Sequence, residues 1–187
     1  MDMHNIKWTR LQSDIFRLLC IRAGQTLNLR EIARELKVSP TAVSNSLGGL
    51  TSEGLVEAKK SSSFNLLSIS INRDNPMAVQ MKRVENLRMV YESGLAHFLH
   101  EEFPGCAVIL FGSYSLGEDV FSEAEERRSD IDIAVVGAKE KHVNTEKFGK
   151  LLERTINMNF YESWGRIHKH LKDNILNGIT LSGGVEL

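Results

Sequence analysis

The N-terminal third of the chain alternates apolar and polar positions with helical spacing. Between residues 10 and 23, Leu11, Ile15, Leu18 and Leu19 fall on one face, and Gly24 is placed to stop the helix. Ile32, Ala33 and Leu36 mark a second, shorter helix with Asn28 as its N-cap. After a turn at Lys37-Val38, Ser39 and Pro40 supply an N-cap followed by proline in the first helical position. The third helix buries Val43, Leu47 and Leu50 and ends near Gly54. Two β-like stretches follow, residues 55–60 and 64–71, joined by the polar run Ser61-Ser62-Ser63.

The pattern then changes twice. Asn72 to Asn75 is rich in turn formers, and Pro76 opens a long helical stretch reaching about Phe103. Its apolar stripe, Met77, Met81, Val84, Leu87, Tyr91, Leu95 and Phe98, reads as core or as an oligomer seam. Beyond Pro104-Gly105 come short continuous apolar runs at 106–111 and 131–136, as expected of buried strands. Residues 156–160 form a further strand candidate, and Trp164, Ile167, Leu171 and Ile175 line one face of a last helix. The chain therefore reads as α+β in two domains, residues 1–74 and residues 75–187, the second including the connecting helix 76–103.

Composition narrows the class. Among 187 residues, 42% are hydrophobic and 25% charged, and no apolar run is long enough to span a bilayer. The first residues lack the apolar core of a signal peptide. Cys20 and Cys106 sit among apolar neighbours and read as buried thiols in a reducing cytoplasm. The net charge of −1 is unevenly split: residues 1–75 hold 10 Lys/Arg and 7 Asp/Glu (+3), residues 76–187 hold 13 and 17 (−4). The first segment is the one suited to a polyanion.

Three helices, a short turn between the second and third, and a hairpin form the pattern of a winged helix-turn-helix. The run LREIARELKVSPTAVSNSLGGLTSEGLV resembles regulator families whose third helix enters the DNA major groove. That resemblance implies that Ser39, Thr41, Ala42, Ser44, Asn45 and Ser46 face double-stranded DNA and that Lys59 and Lys60 flank the wing. Hydroxyl and amide side chains suit base edges or phosphates, and lysines supply attraction independent of sequence. It also implies a homodimer, since one copy binds weakly. Packing against protein is the competing reading, because residues 40–54 hold Glu53 and no Lys or Arg.

In the second segment an apolar strand runs into Gly112-Ser113, and sixteen residues (114–129) separate this pair from Asp130-Ile131-Asp132, which opens another apolar strand. Alternate residues of a strand share a face, so Asp130 and Asp132 point the same way and can hold a hard divalent cation. Gly112 lets backbone amides and the Ser113 hydroxyl approach phosphates. The segments ILFGSYSLGE and RRSDIDIAVVG resemble the minimal nucleotidyltransferases, a branch of the polymerase-β-like superfamily, over about residues 105–187. The resemblance implies a small mixed sheet flanked by helices, Mg²⁺ or Mn²⁺ on Asp130 and Asp132 as the catalytic pair, and an NTP held at Gly112 and Ser113. Its implied activity is transfer of NMP to a protein or small-molecule acceptor, and such proteins often pair with a separate helical toxin-like partner.

Two departures qualify that implication. The stretch 114–129 is long and acidic for the family and reads as a solvated loop. The third carboxylate that would take the acceptor's proton is replaced on its strand by Asn157 and Asn159, and an amide is no general base near neutral pH. Two functions stay open: a metal-dependent nucleotidyltransferase with a DNA-binding winged helix, and a transcriptional regulator whose degenerate transferase domain senses nucleotide or mediates oligomerisation.

Overall fold

A computed structural model describes residues 7–60, 67–122, 124 and 128–184. The chain divides into two compact units, Met1–Val79 and Gln80–Leu187. The division falls inside the connecting helix, a few residues beyond the break expected at 74.

The first unit is built from helices α1 (Arg10–Ile21), α2 (Leu29–Leu36) and α3 (Pro40–Ser52), then strands β1 (Val56–Lys60) and β2 (Leu67–Ile71). Each helix start is fixed by a side chain. Thr9 and Gln12 form a capping box on α1, and Asn28 and Glu31 form another on α2. The Ser39 hydroxyl accepts from the Ala42 amide at 3.1 Å, with Pro40 in the first turn. The two strands pair antiparallel from Val56↔Ile71 to Lys60↔Leu67, and Leu27 bridges to Ile69 as a third edge. Ile15, Phe16, Leu19, Ile32, Val43, Leu50 and Ile69 fill the core between them. The expected hairpin tip, Ser61-Ser62-Ser63, lies outside the described residues.

The long connecting helix is two helices, α4 (Pro76–Glu92) and α5 (Leu95–Glu102). Gly94 adopts φ +80, the left-handed conformation that ends a helix, and the Ser93 hydroxyl turns back to the Val90 carbonyl at 2.9 Å. The expected apolar stripe also fails as a core face on α4: Met77, Val84 and Tyr91 are about half exposed, while Lys82 and Asn86 are buried. Apolar spacing alone could not separate the two faces, because the inward one is polar at its centre.

The second unit holds a four-stranded sheet in the order β5-β4-β3-β6, with β3 Ala107–Phe111, β4 Ile131–Val136, β5 Ile156–Tyr161 and β6 Ile179–Ser182. β3 runs antiparallel to β4 and β6, and β4 runs parallel to β5. A short helix α6 (Gly112–Leu116) follows β3 directly; α7 (Glu146–Leu152) connects β4 to β5, and α8 (Lys169–Leu176) precedes β6. One sheet face packs Ala107, Ile109, Phe111, Ala134 and Val136 against Ile167 and Ile175, with Trp164 and Leu171 beside them. Of the expected last-helix stripe, Ile167 and Ile175 are buried and Trp164 and Leu171 partly buried, but only Leu171 and Ile175 lie on α8; Trp164 sits on a separate 3₁₀ turn and Ile167 directly after it. No helix among the described residues is long and apolar enough to cross a membrane.

Candidate functional site

The first candidate surface is the outer face of α3. Val43, Leu47 and Leu50 point inward, which leaves Ser39, Thr41, Ser44 and Asn45 exposed at the start of the helix. Ala42 and Ser46 are half-buried, and the Ser46 carbonyl accepts from the Gln12 side chain of α1 at 3.2 Å. Gly49 leaves room for that side chain, since a Cβ there would stand 2.6 Å from the Gln12 amide nitrogen and push it aside. Lys59 and Lys60 are exposed on β1, but Glu57 pairs with Lys59 at 2.6 Å, and the hydrogen bond and charge of Glu57 raise the Lys59 pKa. Lys59 stays protonated, with its charge partly offset. Further exposed cations lie on and after α2, at Arg30, Arg34 and Lys37. Residues 40–54 lack Lys and Arg, so the cations flanking α3 in sequence come from these neighbouring segments.

The second candidate site lies where β3, β4 and β5 meet. Phe111 pairs with Asp132, and Asp132 pairs with Asn157, so the three form one row across the sheet. Asp132 is the half-exposed position in a strand whose other residues are buried. The Asn157 amide donates to Asp130 at 2.9 Å and lies 3.5 Å from Asp132, bringing both carboxylates to one nitrogen. Desolvation raises the Asp132 pKa, the Asp130 charge adds to the rise, and the Asn157 bond opposes it.

Gly112 abuts the same carboxylate. It has φ +74, and a Cβ there would lie 2.6 Å from Asp132 Oδ2. Both backbone conformation and space therefore require glycine where β3 turns into α6. Ser113 follows in the first turn of α6. The residues singled out in sequence, Gly112, Ser113, Asp130, Asp132 and Asn157, thus come from three strand ends. Asn159, two pairs further along β5 opposite Ala134, turns its amide toward backbone carbonyls of Ile133 and Asn157, 3.4 Å from each.

A cavity of about 690 Å³ opens beside this row, lined by Asp132, Asn157 and Asn159 and also by Glu140, Lys141 and His142. Sequence reasoning missed those last three, because they sit in the irregular segment after β4 and share no periodicity with the strands. No group of three or more His, Cys, Asp or Glu side chains suited to a metal occurs among the described residues. Two carboxylates on one side fit a hard cation whose remaining ligands come from phosphate oxygens and water, whereas Asn157 presents its amide NH₂ to the acids.

Within the acidic stretch after Gly112, Glu118 is exposed as expected of a solvated loop but Asp119 is not, and residues 123 and 125–127 lie outside the described residues. Asp119 is fully buried; it receives Lys82 and Asn86 from α4 and Arg154 from just before β5, the last at 3.0 Å. Asn86 also donates to the Tyr114 carbonyl of α6 at 2.9 Å. Two cations and an amide on one carboxylate satisfy what burial would otherwise penalise heavily.

Residues 6–63 match the model of the MarR family, 58 of 187 residues. Similar solved structures include the zinc-responsive MarR family member ZitR of Lactococcus lactis, 21% identical, over 53% of this chain and 65% of that one, at a TM-score of 0.41. Wild-type ZitR in complex with DNA is 23% identical, over 53% and 64%, at 0.41. The adhesin competence repressor AdcR of Streptococcus pyogenes is 18% identical, over 55% and 71%, at 0.42. At those scores the superpositions transfer no functional residue. No curated protein matches the chain. By its element order and capped third helix the N-terminal segment of this chain is a winged helix, and its residues 6–63 are similar to the MarR family.

Proposed function

We propose that this protein is a transcriptional regulator whose winged helix binds double-stranded DNA and whose second unit binds a nucleoside triphosphate with Mg²⁺ or Mn²⁺. The observation that carries the first part is the MarR match over residues 6–63 together with the exposed polar start of α3. Ser39, Thr41, Ser44 and Asn45 offer donors and acceptors to base edges and phosphates there, with Ala42 and Ser46 half-buried behind them. Lys59 and Lys60 add electrostatic attraction. Half-exposed Met77, Val84 and Tyr91, seven residues apart on α4, favour a homodimer.

The nucleotide reading rests on Gly112. A glycine wedged against Asp132 leaves a space at the end of β3 that backbone amides and the Ser113 hydroxyl can offer to a phosphate tail. Asp130 and Asp132, held on one side by Asn157, are the residues that would hold the cation. A bound cation would neutralise triphosphate charge and orient the α-phosphate. Asn157 steadies the acids without being able to take a proton, which favours sensing over turnover. The separate helical partner expected from the transferase resemblance plays no part in this reading.

A second reading, NMP transfer, is favoured by one observation: Glu140 and His142 line the cavity that contains Asp132 and Asn157. Either could take the acceptor hydroxyl's proton from outside β5. Incubation with α-labelled NTPs and Mg²⁺, with and without cell extract, separates the two. Saturable nucleotide binding without transferred label supports the sensor. Label on an acceptor that disappears in Asp130→Ala/Asp132→Ala supports the enzyme. Neither binding nor label removes the nucleotide from both.

A further inference from the structure

Next to the cavity that holds Asp132 lies another of about 710 Å³, and the two share His142, Val143, Thr145 and Ile156 in their walls. Its lining has a different character. Arg128, Lys150 and Arg154 line it together with Thr145 and Thr155. Arg154 is 4% exposed, yet it reaches this wall. Its guanidinium donates to Asp119 and to the Glu153 carbonyl, each at 3.0 Å, and Asp119 divides its charge between Arg154 and Lys82.

Arg128 is oriented as firmly from the other side. Its Nε donates to the Ser122 carbonyl at 2.7 Å, and its guanidinium carbon stands 4.4 Å from the centroid of the Phe121 ring. Arg154 stands 5.5 Å from the same ring, so one aromatic side chain fixes both guanidinium groups. Arg128 has no carboxylate partner among the described residues. The acids in this wall are Glu146, held by Lys150 at 2.6 Å, and Glu153. An oriented arginine with no carboxylate partner among the described residues, a second arginine that shares its own, and two threonines in the wall suit a tetrahedral oxyanion better than a carboxylate or a neutral ligand.

We propose that this basic cavity binds a phosphate group, at a position separate from the phosphate tail assigned to Gly112 and Ser113. Only the ligand's identity rests on the nucleotide reading. The phosphate belongs either to the nucleotide itself or to a second, phosphorylated small molecule seated in the same cleft.

Titration calorimetry with inorganic phosphate, in EDTA and at constant ionic strength, tests the site without the metal. One saturable site is expected for the wild type and for Asp130→Ala/Asp132→Ala, with binding about tenfold weaker in Arg128→Gln, the loss of one charge-assisted contact. Absence of saturation, or equal affinity in Arg128→Gln, overturns the proposal. Lys150 is an exposed residue of the same wall, so Lys150→Ala gives a second variant that spares the core, with about twofold weakening expected. Repeating the titration on protein saturated with NTP and Mg²⁺ separates the sources: continued binding identifies a second ligand, and displacement identifies the nucleotide. If NTP with Mg²⁺ does not bind at all, the nucleotide reading fails while the metal-free phosphate titration still decides this one.

Discussion

At the residue scale, the position with least freedom in the second unit is Gly112. An alanine there must adopt φ near +74 with its methyl 2.6 Å from an Asp132 carboxylate oxygen, so either the turn or the carboxylate has to move. Gly112→Ala is expected to weaken NTP–Mg²⁺ binding more than about tenfold, the equivalent of roughly 1.4 kcal/mol, while DNA binding by the first unit is unchanged; calorimetry and a gel shift on the same preparation check both. Asp132 gives a second test, through pH. Its folded-state pKa is raised by desolvation first and by Asp130 second, so the folded protein holds this proton more tightly than the unfolded chain. The ionised carboxylate therefore costs stability at neutral pH, and the cost disappears as pH falls through the raised pKa. In metal-free buffer Asp132→Asn should melt a few degrees higher than wild type near neutral pH, and the difference should shrink on acidification. An unchanged or lower melting point at neutral pH would mean that the acid pair is not under electrostatic strain.

At the element scale, what was legible in sequence was local. Asn28 and Ser39 cap the helices they were expected to cap, because a cap is a contact between residues two or three apart. The strand–Gly-Ser and Asp-x-Asp–strand pairs were legible for the same reason. What escaped depends on partners far along the chain. Ser93-Gly94 splits the connecting helix through a left-handed glycine that apolar spacing does not register. Lys82, Asn86, Asp119 and Arg154 read as surface residues by type, and only the fold shows that they meet: Asp119 ties α4, the segment after α6 and the approach to β5 to one carboxylate. Asp119→Asn leaves two buried cations facing a neutral amide and is expected to destabilise the second unit by about 3–5 kcal/mol, measurable by chemical denaturation. A loss below about 1 kcal/mol would contradict the hub. On the DNA side, Asn45→Ala removes an exposed amide from α3 and should reduce discrimination between DNA sequences by about 1–3 kcal/mol without weakening nonspecific binding; competition with unrelated duplex reads the difference.

At the scale of the whole molecule, positive charge is concentrated in the segment with the winged helix and negative charge in the segment with the acid pair. The α4 helix begins in the first unit and carries Lys82 and Asn86 into the second, where both meet Asp119, the partner of a cavity-lining arginine. One helix thus belongs to both units, and linkage requires that any effect of nucleotide on DNA affinity be matched by an equal effect of DNA on nucleotide affinity. The central claim remains that the MarR-like winged helix binds double-stranded DNA. Fluorescence anisotropy of labelled duplex from upstream of the gene, titrated with the full chain at several salt concentrations, tests it most directly. The account predicts saturable binding that weakens steeply with salt, is outcompeted poorly by unrelated duplex, and loses about one unit of salt slope in Lys60→Ala. A folded protein that leaves the anisotropy unchanged at low salt, or binds all duplexes alike, contradicts it.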